Sequence, residues 1–327
     1  VAKAEELRGV DCDAAAPEGI RVVLRGRLEA MCGLREFALD REEIEGVHKM
    51  RVASRRLRSA LRDFEAFAEG AAVMERRVKA VARALGDVRD QDVAIEALKK
   101  LRQKAPGDVA EGIGRLTGER EAVRALARER LESAVAEAPL AGLRERFLLW
   151  LERLGGGARR KRGAKSARRP EQAASFRQAG RAVVESRLEE LRRHGNSLHH
   201  PFDSEPLHEM RIAAKRLRYA LELFAPCWGG RLSPYPRELA GLQTSLGELH
   251  DCDVWIADLG ARLDRHARGS GGPGGKDADS RIRPAAVWLL HHFTKERGRH
   301  YRRALARWHE WETDGFFERM SETLAEG

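Results

Sequence analysis

Aromatic residues are scarce, at 6% of the 327-residue chain, and only three of them are Tyr. A single-stranded nucleic-acid binder that stacks bases on rings needs more. Alternation of apolar and polar residues with a period of two is nearly absent, which excludes a sheet protein. Cysteine is limited to Cys12, Cys32, Cys227 and Cys252, with no CxxC pair and no disulfide-framework spacing, so a reducing compartment is expected. No apolar run is long enough to span a bilayer, and the opening VAKAEELRGV has no hydrophobic region of a signal peptide. Those ten residues also lack an initiator Met, so the chain reads as an excised piece of something longer. Nucleotide-cradling and nucleophile signatures are missing too. Gly155–Gly157 has no GK[ST] ending, and no GxSxG or Cys–His signature occurs.

What the chain has in plenty is charge. Charged residues make up 34%, with 61 Lys+Arg against 51 Asp+Glu, for a net charge of +10. Arg clearly outnumbers Lys, and its planar fork grips phosphate oxygens in pairs. Such an excess favours nucleic acid, anionic lipid or another polyanion as partner. Hydrophobic residues at 42% suffice for a substantial core. They recur at three- and four-residue spacing, which predicts helices near 17–38, 42–68, 71–103, 108–136 and 140–154. A second set is predicted near 171–194, 205–225, 234–266, 280–312 and 314–325. Between the sets lies a basic Gly-rich linker, 156–170. RGSGGPGGKDADS (268–280) reads as a second loose, mobile segment.

The two sets are copies. VHKMRVASRRLRSALRDF (47–64) matches LHEMRIAAKRLRYALELF (207–224) at an offset of 160, without a gap. ALGDVRDQDV (84–93) matches SLGELHDCDV (245–254), displaced by one further residue. At about 100° per residue, Met50, Ala53, Leu57, Ala60, Leu61 and Phe64 share one helix face. His48, Arg51, Arg55, Arg58 and Arg62 share the other. The copy repeats the pattern with Met210, Ala213, Leu217, Ala220, Leu221 and Phe224 against His208, Arg211, Lys215 and Arg218. Like charges one turn apart repel by a few tenths of a kcal/mol per pair. A solvated face would alternate signs. Two one-signed stripes, each with a His at the same place, favour an awaited anion over that plainer reading.

The pattern HxxRxxxRRLRxxLxxF followed by LGxxRDxDV resembles the CHAD domain, the conserved histidine α-helical domain. It is carried here by His48, Arg51, Arg55, Arg56, Leu57, Arg58, Leu61 and Phe64, then Leu85, Gly86, Arg89, Asp90, Asp92 and Val93. The second copy carries it on His208, Arg211, Lys215, Arg216, Leu217, Arg218, Leu221 and Phe224, then Leu246, Gly247, His250, Asp251, Asp253 and Val254. The resemblance covers 17–323. It implies an all-α fold of two tandem four-helix bundles, 17–155 and 171–323, related by a pseudo-twofold, with a basic central surface or pore. It also implies binding of inorganic polyphosphate. Three positions depart between the copies: Lys215 stands for Arg55, His250 for Arg89 and Glu222 for Arg62. The second copy is therefore expected to grip less strongly.

Other basic rows are candidates for the same surface: Arg21 and Arg25 with Arg181; Arg120, Arg124 and Arg128; Arg299, Arg303 and Arg307. Ordinary exposed Arg paired with nearby Glu is the alternative for each. The pairs Asp90/Asp92 and Asp251/Asp253 invite metal or acid–base chemistry. Residues i and i+2 point about 200° apart on a helix, however, so one of each pair is expected to brace the Arg stripe. The mid-helix Gly86 and Gly247 suggest close approach of a neighbouring helix. No ligand set for a metal is completed by His199–His200 or His291–His292, and no cofactor is expected. The reading is a non-catalytic, cytoplasmic polyphosphate binder, at polyphosphate granules, with non-specific nucleic-acid binding at low salt. The rivals are nucleic-acid binding as the main role, or a metal-dependent phosphohydrolase using the Asp pairs.

Overall fold

The computed structural model describes residues 9–154, 174–267 and 275–326. Among them every regular element is helical, and one isolated antiparallel bridge joins Ala15 to Ser175. In chain order the helices of the first copy are α1 (Ala16–Cys32), α2 (Arg35–Leu39), α3 (Ile44–Asp63), α4 (Ala71–Arg102), α5 (Gly107–Ala134) and α6 (Glu137–Leu154). Those of the second are α7 (Phe176–Arg193), α8 (Ser204–Phe224), α9 (Tyr235–Ala267), α10 (Gly275–Asp314) and α11 (Phe316–Ala325).

The ends follow local chemistry. Pro17 sits in the first turn of α1, where its missing N–H costs nothing. Ser175 and Gln178 form a capping box at the start of α7. The single helix expected over 17–38 is broken at Gly33, whose N–H closes onto the Glu29 carbonyl before the short α2 begins. The expected linker 156–170 lies outside the described residues, as does 268–274 of the second loose segment. The remainder of that segment, 275–280, is helical and corrects the loose reading there. Once the packed body of α10 is nucleated, the Lys, Asp and Ala that precede it extend the helix at little cost.

The apolar stripes bury as their spacing requires. Met50, Leu57 and Leu61 of α3 and Met210, Leu217 and Leu221 of α8 are fully buried. Each such side chain stabilises the fold by about 1.5–3 kcal/mol. They belong to one hydrophobic cluster that also holds Ile20 and Leu24 of α1 and Val184 of α7, so the two copies share a core. The repeat-equivalent Phe64 and Phe224 meet edge-on at 5.9 Å between ring centroids, and Phe176 packs on both. Two glycines make room for these rings. A Cβ on Gly19 would lie 2.4 Å from Phe176, and one on Gly180 would lie 2.5 Å from Phe224. A second cluster closes the far ends of the α4–α5 and α9–α10 hairpins, with Leu98, Ile113 and Leu116 against Leu259, Ala285 and Leu289.

Charge also crosses between the copies. Arg187 pairs with Asp63 at 2.9 Å, Arg120 with Asp258 at 2.7 Å and Arg262 with Glu119 at 2.6 Å. Cys12 and Cys227, 215 residues apart, form a disulfide, and Cys32 and Cys252 are free. This corrects the expectation of no disulfide. The bridge ties the segment before α1 to the turn after α8, a pairing that no sequence spacing announces. No helix among the described residues is long and apolar enough to cross a membrane.

Candidate polyanion site

The basic stripes do not face open solvent. On α3 the side chains of His48, Arg51, Arg55 and Arg58 are half-buried, and on α8 so are His208, Arg211, Lys215 and Arg218. α3 and α8 pack against each other, so the two stripes meet in the middle of the molecule. Arg51 and Arg211 line one cleft of about 430 Å³, together with Asp90 and Asp251. One turn along the same helices, Arg55 and Lys215 complete the cationic cluster. Arg55 donates to the Tyr219 hydroxyl at 2.8 Å, reaching from one copy to the other.

This cluster is short of counter-charge. Arg51 pairs with Asp90 at 3.0 Å. Among the described residues the Arg211 Nε is buried without a hydrogen-bond partner. Burial comes first in holding the Arg51 and Arg211 guanidiniums below the usual arginine range. Asp90 and Asp251 respectively oppose the shift, and Arg55 adds to both. Lys215 feels the crowding most: burial, then Arg55, Arg211 and Arg51, push its ammonium down to about 6. Burial and the facing Arg211 also lower His208, and His250 falls to about 4. The two rings touch through their Nδ1 atoms at 3.0 Å. His48 is lowered by burial and by Arg89. At neutral pH the two family histidines are therefore neutral groups set among cations.

The second motif supplies the floor. Gly86 and Gly247 lie beneath the guanidiniums, with Arg51 Nε and Arg211 Nε each 3.8 Å from where a Cβ would stand. The neighbouring helix thus approaches these glycines through an arginine side chain. In each Asp pair the first member accompanies the stripe, Asp90 beside Arg51 and Asp251 acting on Arg211. The second turns away, to Arg124 on α5 for Asp92 and to Arg297 on α10 for Asp253, each at 2.5 Å. Among the described residues no group of three or more His, Cys, Asp or Glu is arranged to hold a metal ion.

The other candidates separate. Arg58 and Arg62 share one carboxylate, Glu75, at 2.8 and 2.7 Å, so the lower half of the first stripe is partly compensated. Arg218 pairs with Glu222 at 3.4 Å. Arg120 does line the cleft, held by Asp258 with its guanidinium over the Trp255 ring. Arg124 lines a different pocket, and Arg128 is buried, donating to the Ala38 and Asp40 carbonyls. Arg21, Arg25 and Arg181 on α1 and α7 do not line the cleft, and Arg181 pairs with Glu185. Arg299 pairs with Glu296, and Arg303 is exposed. The residue in Arg124's role in the second copy is Arg297, which the sequence alignment of that helix passed over. Also missed were Gln91, Val93, Val254 and Trp255, which line the cleft. Their signal was position: Gln91 lies between the two Asp of its motif, and Val93 and Val254 directly follow theirs.

The profile of the CHAD domain matches residues 22–260. The chain belongs to the CHAD domain family. Its fold is shared with the crystal structure of the CHAD domain from the plant Ricinus communis, at a TM-score of 0.69 and 21% identity over 93% of this chain and 95% of that one. It is likewise similar to the structure of PptA from Streptomyces chartreusis, at a TM-score of 0.65 and 14% identity over 90% of this chain and 100% of that one. No curated protein matches the chain. The two family motifs are the segments that build the cleft: the stripes on α3 and α8, and the Gly-and-Asp floor on α4 and α9.

Proposed function

We propose that this CHAD domain binds inorganic polyphosphate, without catalysis, at the cluster formed by Arg51, Arg55, Arg211 and Lys215. The observation that carries the reading is basic excess: three half-buried arginines and Lys215, from two copies, converge where Asp90 and Asp251 are the accompanying carboxylates. Holding like charges together in a poorly solvated place costs stability. A polyanion offsets that cost, through charge-assisted hydrogen bonds and released counterions. Family membership supports the choice of inorganic polyphosphate over other polyanions. Three of the four Asp that a hydrolase would need, Asp90, Asp92 and Asp253, are engaged by Arg51, Arg124 and Arg297, which supports binding over turnover. The Cys12–Cys227 bond fits an oxidising compartment better than a cytoplasmic granule.

The test is titration calorimetry with long-chain polyphosphate near physiological salt, on the wild type and on a folded Arg51→Glu/Arg211→Glu variant. Tight, salt-sensitive binding that the variant loses is expected. Binding that the variant keeps moves the ligand off the stripes. Displacement by duplex DNA at equal phosphate concentration replaces polyphosphate with nucleic acid as the partner.

A further inference from the structure

Part of the cleft lining is apolar and suits something other than phosphate. Val93 and Val254, which directly follow the two Asp motifs, are 42% and 55% exposed, and both line the cleft. Beside Val254 stands Trp255, held rigid by stacking on Phe293 at 5.1 Å and by Arg120 over its ring. Gln91 adds a third kind of group. It lines the same cleft, while its Oε1 is buried away from solvent with no donor among the described residues. An inorganic phosphate chain offers only charged acceptors, so it leaves the apolar lining unused. The Asp90 and Asp251 carboxylates are acceptors as well.

We infer that the cleft also takes a nucleoside polyphosphate, its phosphates on Arg51 and Arg211 and its nucleoside against Val93, Val254 and Trp255. A volume of about 430 Å³ lies within the range of small-ligand pockets. Asymmetry fixes the orientation, because Trp255 on α9 stands at the repeat position that Ala94 occupies on α4. The inference rests on the proposed function for its phosphate subsite but not for its nucleoside subsite.

The experiment titrates the full chain with long-chain polyphosphate, inorganic tripolyphosphate and ATP, in EDTA at fixed ionic strength, following heat and indole fluorescence. Tripolyphosphate carries the greater negative charge, so a site that reads charge alone prefers it. The expected result is ATP bound about tenfold more tightly than tripolyphosphate, with a fluorescence change from Trp255. Val254→Ser, on an exposed position that folding tolerates, is expected to narrow that preference severalfold. Tripolyphosphate bound as tightly as ATP overturns the inference, and leaves the proposed function standing if the long chain binds. ATP binding without long-chain binding overturns the proposed function and supports the nucleoside subsite. Binding of none of the three overturns both.

Discussion

Capture of a polyanion at the central cluster is expected to take up a proton. Lys215 is wedged among Arg51, Arg55 and Arg211, and its ammonium is pushed from 10.5 down to about 6. At pH 7 about nine in ten molecules then carry a neutral amine there. A bound phosphate chain reverses the local field and returns the ammonium toward its ordinary range, so about 0.9 proton enters per binding event at pH 7. Affinity accordingly weakens by up to about a decade for each pH unit above 7. Asp251 on α9 and the pair His208 and His250 face the same cluster. Burial raises the first and lowers the other two, His250 to about 4, so Lys215 is the group whose proton the pH 7 to 9 range reads. The assay is calorimetry in two buffers of different ionisation enthalpy, at pH 7 to 9, on the wild type and on Lys215→Arg. Arginine keeps the charge and does not titrate in this range. Equal proton uptake by the two proteins refutes the reasoning. The unliganded protein gives a second check. Because the folded pKa lies below the unfolded one, the unfolded chain holds more protons between about pH 6 and 10.5, and stability rises with pH across that window. Lys215→Met removes this rise, and is expected to raise the melting temperature at pH 7 while weakening polyphosphate binding.

Charge reversal is expected to weigh unequally between the copies: Arg55→Glu weakens polyphosphate binding more than Lys215→Glu, because Arg55 stays charged before the ligand arrives. Equal losses in calorimetry contradict this. Gly86→Ala is expected to stabilise α4 by up to about 1 kcal/mol, since a Cβ there meets Arg51 at an ordinary 3.8 Å; chemical denaturation measures it. Reducing the Cys12–Cys227 bond reopens a loop closed across 215 residues. The chain-entropy argument places the loss near 5 kcal/mol, readable as a lower melting temperature in dithiothreitol that Cys12→Ser reproduces. Phe224→Ala, at the contact between the copies, is expected to cost about 3–5 kcal/mol in the same denaturation assay.

Helices, repeat and buried stripes were legible in the sequence because each depends on spacing along one element. Met50 to Phe64 and Met210 to Phe224 bury as a helical wheel places them, apart from Ala53, which is only partly covered. Partner choice was not legible, because it depends on which helix comes to lie alongside. Arg58 and Arg62 share a stripe with Arg51, yet Glu75 of α4 reaches them and leaves Arg51 to the cleft. Arg297 takes a role that no spacing along the chain announces, because Asp253 selects it by position in space. Cys12 and Cys227 were unreadable for the same reason. The loose segment was over-extended because glycine-rich composition predicts where a helix stops poorly when a packed helix follows.

The meeting of α3 with α8, and of Phe64 with Phe224, has a consequence for how the site can vary. In an assembly of two identical chains every change at such a seam appears twice, once on each side. Joined in one chain, the sides drift independently. Lys215 opposite Arg55, His250 at the position of Arg89 and Trp255 at that of Ala94 are changes of this kind. Each gives the cleft a direction that a symmetric pair cannot have, so an elongated ligand has one preferred way round.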